Sequence, residues 1–290
     1  MATIRQLRQR RKVAQNIQQI TKAMKMVAAA RLKRAQDRVT AARPYAATMR
    51  EMMTSLSSAV GAEVQHPLLA QRPPQNIGFL VVTSDRGLAG SYNSAILRRA
   101  TELLKEYDKS RVKLYLAGRK GIQFFRRRGF NIGEEFTLNN TGVTFDEAKR
   151  ITRAVWTEFE TEKIDKLVLV YTKFLSAISQ KPTEVQLLPI QPPTVEDAPP
   201  DQLQEEYIFE PAADVLLDAL LPRYVEGQVY QALLEATASE HGARMTAMSS
   251  ATDNAAKMIG TLTLFINRAR QAGITREISE IVGGAEALKG

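Results

Sequence analysis

The sequence predicts an α/β protein in which the N- and C-terminal helices form a long antiparallel two-helix coiled coil. A small Rossmann-like α/β domain is predicted to be inserted between them. Two observations predict this fold: both ends of the chain carry apolar residues at heptad spacing, and the middle alternates between strand-like and helix-like segments. The predicted segments are an N-terminal helix (1–60), an α/β domain (74–190), a proline-rich linker (191–207) and a C-terminal helix (208–290).

The N-terminal helix is predicted from a segment without glycine and with a single proline, Pro44, between residues 4 and 60. Such a helix is too long to be buried by a small domain. A stripe of apolar residues with alternating spacings of four and three contains Ala28, Leu32, Ala35, Val39, Ala42, Ala46, Met49, Met53, Leu56 and Val60. Upstream, the apolar stripe moves by one residue to Val13, Ile17, Ile20, Met24 and Val27, which we interpret as a stutter in the heptads.

The C-terminal helix repeats the heptad pattern. Its apolar or small positions are His241, Met245, Met248, Thr252, Ala255, Ile259, Leu262, Ile266, Ala269 and Gly273. The connection through the inserted domain predicts that the two helices run antiparallel. Small residues at many of the positions predict a close approach of the two helices.

The inserted domain is predicted to contain a small, mostly parallel sheet with helices on its faces. The predicted strands span 77–83, 112–117, 166–174 and 184–189, and the predicted helices span 91–107, 119–128 and 144–162. The last helix begins with the spacing of a capping box, Thr144 followed by Glu147.

Charge and composition exclude several classes of function. With no cysteine, the chain has no disulfide, thiolate nucleophile or zinc–thiolate site. Its net charge is +9, but residues 1–43 alone carry twelve Lys and Arg against one acid, Asp37, so the rest of the chain is slightly acidic. Because charges of one sign repel each other, this helix predicts an acidic partner, which can be a protein, an anionic membrane surface or a nucleic acid.

The strongest candidate for a small-molecule site is the segment Ser84-Asp-Arg-Gly-Leu-Ala-Gly-Ser-Tyr-Asn93, between a predicted strand and a predicted helix. It lacks the spacing of a dinucleotide or P-loop motif, so a structural turn is favoured over a phosphate site. The two histidines, His66 and His241, lie in no nucleophile or metal motif, and a packed position in the seam is the favoured interpretation of His241. No catalytic residue, cofactor or metal site is predicted.

Three segments resemble the gamma family of F-type ATP synthases, of the bacterial type: residues 4–30, with Thr21-Lys-Ala-Met-Lys25; residues 239–255; and residues 267–285. The loop 84–93 is also similar to that family. The resemblance implies a non-catalytic rotor subunit that transmits torque between a c ring and catalytic beta subunits, and so couples proton flow to ATP synthesis or hydrolysis. It implies three alpha and three beta subunits, an epsilon subunit and a c ring as partners, with catalysis on beta.

The resemblance also implies contact residues. The residues that would contact the alpha and beta subunits are Met24, Lys25, Arg268, Gln271, Thr275 and Glu277. Those that would contact the c ring or epsilon are Arg43, Tyr45, Tyr207, Phe209 and Glu210. The resemblance begins almost at residue 4, without room for a mitochondrial presequence, which indicates a bacterial protein or a mature form. The first is simpler, so we expect a peripheral protein on the cytoplasmic face of a bacterial cell membrane.

Two other interpretations remain open from the residues themselves. The loop 84–93 allows an α/β nucleotide-binding enzyme with helical arms for oligomerisation. The basic helix allows a coiled coil that binds nucleic acid, although it has almost no aromatic residues for base stacking.

Overall fold

The structure is a computed structural model that describes residues 3–60, 66–138, 142–191 and 212–287. The helices are α1 (Ile4–Val60), α2 (Tyr92–Leu104), α3 (Arg119–Arg126), α4 (Phe145–Glu160) and α5 (Ala213–Ala287). The strands are β1 (Ile77–Val82), β2 (Val112–Ala117), β3 (Ile132–Phe136), β4 (Lys166–Phe174) and β5 (Gln180–Leu188).

The five strands form one sheet in the order β3-β2-β1-β4-β5. The pairs β1–β2, β1–β4 and β2–β3 are parallel, and β4–β5 is antiparallel. The chain leaves β1 towards β2 and β3, and then crosses back to β4 on the other side of β1. This reversal next to β1 is the topological switch point of a doubly wound fold, which confirms the predicted fold class.

The central strand β1 shows why this sequence forms a sheet covered on both faces. All six residues of Ile77–Val82 are buried, as expected for a parallel strand with helices on either side. Because successive side chains point to opposite faces, Ile77, Phe79 and Val81 pack in one core, and Leu80 and Val82 pack in the other.

The two cores contain different helices. Residues of α2 and α3, including Ile96 and Phe125, share a core with the first set of β1 side chains. On the opposite face, α4 contributes Val155 and Phe159, and the middle parts of α1 and α5 contribute residues such as Val39 and Leu233. One face of the sheet therefore packs against the middle parts of α1 and α5.

The chain divides into two compact units. One comprises Met1–Ala28 with Met245–Gly290, and the other comprises Ala29–Arg244. The sheet and its helices belong to the second unit, and α1 and α5 each contribute to both.

Most predicted elements of the sheet are confirmed. The helix α4 begins at the predicted capping box, in which the Thr144 hydroxyl accepts from the Glu147 N–H while the Glu147 carboxylate accepts from the Thr144 N–H. The prediction missed β3, and it placed the start of β5 at residue 184 instead of Gln180. Both strands lie at the edges of the sheet and are largely exposed or half-buried, so their apolar pattern is weak.

Candidate functional site: the coiled coil and its surfaces

The seam of the first unit contains small and polar side chains beside a few large apolar ones, Met248, Leu262 and Ile266. Ala14 and Ala28 on α1 are buried, and so is Ala255 on α5. The Thr252 hydroxyl donates to the Thr21 hydroxyl over 2.8 Å. These residues are small because bulky side chains would keep the two helix backbones apart.

A second polar contact across the seam fixes the direction of the helices. The Lys25 Nζ donates to the Ser249 hydroxyl at 3.0 Å. As the α1 residue number falls from Lys25 to Thr21, its α5 partner rises from Ser249 to Thr252. The helices of this unit are therefore antiparallel, as predicted.

The predicted stutter in α1 is wrong. Of its five apolar residues, Val13, Ile17, Ile20 and Val27 are exposed and Met24 is half-buried. The seam instead continues the regular heptad spacing from Ala28 through Thr21 to Ala14. Hydrogen bonds satisfy the polar groups of this seam, so polar residues are tolerated there. The apolar residues that the pattern selected lie on another face of the helix.

The C-terminal heptads are confirmed. Every one of the ten predicted positions from His241 to Gly273 is buried or half-buried. Large apolar side chains that interrupt this ladder are exposed, as in α1: Met258, Leu264 and Phe265. In this unit, Met248, Leu262 and Ile266 lie between the helices together with small residues, while other bulky apolar side chains lie outside the coil, and such exposed apolar surface marks a binding surface.

The last turns of α5 extend beyond the seam. All side chains from Ile274 to Ala285 are exposed, including Ile278, Ile281 and Val282. The cause is the length of the partner helix, because α1 begins at Ile4 and leaves nothing opposite this part of α5 among the described residues.

The predicted alpha and beta contact residues lie on the surface of the first unit. Arg268, Gln271, Thr275 and Glu277 are all exposed. With 3.6 residues per turn, the first three share the face of α5 opposite the seam, and Glu277 lies on the side that the seam would occupy. Met24 and Lys25 are one turn from the Thr21–Thr252 contact, and Lys25 also holds the seam through Ser249.

Two of the predicted c-ring or epsilon contacts lie beside a cavity in the second unit. Arg43 and Tyr45 line a volume of about 450 Å³ between α1, α5, β4 and β5. The Tyr45 ring is exposed on one side and packs over Gly227 on the other, 3.6 Å from where a Cβ of Gly227 would stand. Tyr207, Phe209 and Glu210, together with most of the predicted linker, lie outside the described residues.

The basic residues of α1 point mostly to solvent. Ten of the twelve Lys and Arg before Pro44 are exposed, and Arg11 and Arg31 are half-buried. Within the described part of the chain, one of them forms an ion pair, Lys33 with Asp37 at 2.9 Å. The charge on this helix is therefore available to an acidic partner.

The loop after β1 is used for structure, as the sequence favoured. The Ser84 N–H and hydroxyl both contact Asn93 Oδ1, and Asp85 accepts from the Arg119 N–H at 2.8 Å. The Gly87 carbonyl accepts from the Arg244 guanidinium at 3.2 Å. These contacts bind the loop to α2, α3 and α5, and α2 starts without a side-chain cap.

Arg244, whose guanidinium donates to the Gly87 carbonyl, is also part of a buried ion pair on α5. Arg244 and Glu240 are one turn apart, 2.5 Å from each other, with side chains 10% and 17% exposed. Burial raises the pKa of the Glu240 carboxyl, although Arg244 and Arg31 act in the opposite direction. The sequence offered one signal for this pair, an acid and a base spaced i,i+4 on a helix.

His241 is neutral at physiological pH. Burial, followed by the charges of Arg244 and Arg31, lowers its pKa to about 4. Its Nδ1 lies 3.1 Å from the Arg244 guanidinium, which confirms the prediction of a packed seam residue.

Comparison with known proteins identifies the family. The family model described as ATP synthase matches residues 3–288. The gamma chain of the Desulfitobacterium hafniense ATP synthase is 48% identical over 289 residues, all of both chains. That of Brevibacillus brevis is 49% identical over 286 residues, or 98% of each chain. The chain belongs to the ATP synthase gamma chain family.

Solved structures agree with this family. The central stalk and c ring of the Tetrahymena thermophila mitochondrial ATP synthase contain a chain that is 29% identical, with a TM-score of 0.63 over 80% of this chain and 99% of that one. A rotor chain of the Euglena gracilis mitochondrial ATP synthase has the same fold, with a TM-score of 0.67 at 17% identity over 93% of this chain and 98% of that one.

In this member of the gamma chain family, none of the described helices combines the length and the apolar character that crossing a bilayer requires.

Proposed function

We propose that this chain is the central-stalk rotor of a proton-translocating F-type ATP synthase in a bacterium. In this role it transmits torque between the c ring and the catalytic beta subunits, and so couples proton flow to ATP synthesis or hydrolysis. It is a non-catalytic subunit, one copy per complex, attached to the cytoplasmic face of the cell membrane through its partners. The division into 1–60, 74–190, 191–207 and 208–290 is part of this proposal.

The observation that carries the proposal is the arrangement of side chains on the coil of the first unit. Small side chains occupy much of the seam, and several bulky apolar ones, such as Ile17, Ile20 and Phe265, face outward. A coil of this kind is suited to a sleeve of other subunits, which we take to be three alpha and three beta chains. The surrounding subunits would cover the apolar surface through non-directional apolar contacts, which do not fix one orientation of the coil.

The charges on α1 supply the selective part of the contact. Met24 and Lys25 are proposed to face an acidic segment of a beta subunit, and Arg268, Gln271, Thr275 and Glu277 to contact the same ring. Rotor and ring exchange free energy only through contacts that differ between the states of the beta subunits. The excess of positive charge on α1 provides such a difference.

The opposite end is proposed to contact the c ring and epsilon. Arg43 and Tyr45 beside the 450 Å³ cavity are the described members of this contact. Tyr207, Phe209 and Glu210 remain predictions from the family resemblance.

Reconstitution tests the proposal. The chain is mixed with alpha and beta subunits of a bacterial F-type ATP synthase, and the rotor function predicts one stable complex whose ATPase activity requires this chain. ATP hydrolysis by the chain alone would instead favour the α/β enzyme. Tight DNA binding that weakens steeply with salt would favour the nucleic-acid interpretation.

A single substitution tests the proposed beta contact. Met24→Lys adds a positive charge beside Lys25, and we expect proton pumping per ATP to fall while folding is retained. The control is Met26→Lys, the same substitution at an exposed residue on another face of α1. Equal pumping per ATP in the parent and in Met24→Lys would contradict this contact.

A further inference from the structure

A cleft in the second unit collects arginines from two elements. It has a volume of about 240 Å³ and lies among α1, α5, the loop after β1 and the segment before α4. Arg31, Arg34 and Arg38 line it from α1, and Arg86 lines it from the loop. The spacings of three and four residues place the α1 arginines on one face of the helix.

The carboxylates in the cleft already have other partners. Glu240 is paired with Arg244, and Asp85 accepts a hydrogen bond from the Arg119 N–H. Within the described residues, none of the four arginines of the cleft forms an ion pair with a carboxylate. Four cations therefore share a small volume with two carboxylates, Asp85 and Glu240, and an entering anion would offset the excess of positive charge.

The pKa of His241 depends on the positive charge around the cleft. Arg31 and Arg244, after burial, lower the pKa of His241, which lines the cleft. An anion bound among the arginines would act against them and raise this pKa.

The position of the cleft is one where α/β folds bind ligands. The loop that carries Asp85 and Arg86 follows the carboxyl end of β1, next to the switch point between β2 and β4. Arg38 closes one side by packing against Gly142, where a Cβ would lie within 3.2 Å of three guanidinium atoms.

The size of the cleft limits what can enter. A volume of about 240 Å³ is below the usual range for drug-sized ligands. An α-helix about 10 Å across would not fit either. Arginine forks match the geometry of phosphate oxygens and bind them through two hydrogen bonds each.

We propose that this arginine cleft binds a small, multiply charged oxyanion of the phosphate class. The site is separate from the coil surfaces of the first unit, so it can be tested on the isolated full chain. Its failure would leave the proposed rotor function unaffected.

Binding of inorganic pyrophosphate to the full chain is measured by calorimetry, and the titration of His241 is followed by NMR with and without the anion. His66 is the other histidine in the sequence, so His241→Asn assigns the two signals. We expect saturable binding with one anion per chain and a higher pKa of His241 in its presence.

Two variants and a matched control locate the site. Arg34→Gln and Arg38→Gln should each weaken pyrophosphate binding by about tenfold or more, because each removes a charged fork. Lys33→Gln removes the same charge from the neighbouring, 75% exposed position and should leave binding within about twofold. Circular dichroism and Trp156 fluorescence confirm that each variant is folded.

Three results would overturn the proposal. The first is no saturable binding to the parent, and the second is an equal loss in Lys33→Gln, which would indicate general attraction to a basic helix. The third is preferential binding of an acidic peptide at the same arginines, which would make the cleft a contact for another protein.

Discussion

Breaking the buried ion pair of α5 should cost a large share of the stability of the second unit. The pair consists of Glu240 and Arg244, and the guanidinium also holds the Gly87 carbonyl of the loop after β1. In Arg244→Met the side chain keeps much of its volume but loses its charge and its donors. Glu240 then remains buried, and Arg31 is a cation that still lowers its pKa.

The expected loss is about 3–5 kcal/mol at pH 8, the usual cost of removing one partner from a buried pair. The loss should be smaller at pH 5. Burial already raises the pKa of Glu240 above that of an unfolded chain, and removal of Arg244 raises it further. The folded variant therefore binds a proton more readily than the unfolded one, so its stability falls as the pH rises through that pKa.

Urea unfolding at pH 5 and pH 8, followed by the fluorescence of Trp156, measures this loss. Trp156 is the single tryptophan and lies on α4, in the same unit. The control is Lys33→Met, which breaks the exposed pair with Asp37 and should cost less than about 1 kcal/mol. The double variant Glu240→Gln with Arg244→Met should recover about half of the loss or more.

The reasoning would be refuted by a loss in Arg244→Met that is below about 1 kcal/mol and equal at both pH values. That result would mean that the carboxylate finds water or another cation without cost. Failure of the double variant to recover stability would show that the Gly87 contact, and not the charge, is responsible.

Three further predictions concern the backbone and the seam. Gly118→Ala should cost at least about 3 kcal/mol in the same urea assay, because Gly118 has a φ of 101° and a Cβ would lie 2.2 Å from the Thr83 carbonyl oxygen. Thr144→Ala should lower the free energy of unfolding by about 1 kcal/mol, because it removes the side-chain cap of α4. Thr144→Ser keeps a hydroxyl at this position and should retain the stability of the parent. Thr21→Val and Thr252→Val should each speed the exchange of backbone amide hydrogens in the seam, because each leaves the other hydroxyl without its partner across the seam. The double variant should exchange like the parent. Exchange rates that are additive between the two single variants would exclude coupling through this hydrogen bond.

The sequence was sufficient for the helices because their signals are long and repeated. Heptads define α5 from His241 to Gly273, and the absence of glycine defines α1. The same method failed between Val13 and Val27, where it followed apolar residues. There, hydrogen bonds between opposite helices allow threonine and lysine at the seam, and a single sequence contains no information on which residues face each other.

Charge was also only partly predictable. The excess on α1 is visible in the sequence, but treating the rest of the chain as slightly acidic concealed the cations of α3, Arg119, Lys120 and Arg126 among them. The arginine cleft could not be anticipated, because Arg86 is distant in sequence from Arg34 and Arg38, and only the tertiary structure places the three around one cavity. The predicted partner contacts rest on the family resemblance alone.

The thin seam determines when the coil becomes stiff. Alanine and threonine bury little apolar area between two helices, so the hydrophobic free energy that holds them together comes largely from a few larger side chains, Met248, Leu262 and Ile266. Other bulky apolar side chains of this coil, such as Ile17, Ile20 and Phe265, are on its outer surface and would be removed from water only when other chains enclose them. We therefore expect the coil of the isolated chain to fray readily, and its capacity to carry torsional load to arise during assembly of the complex.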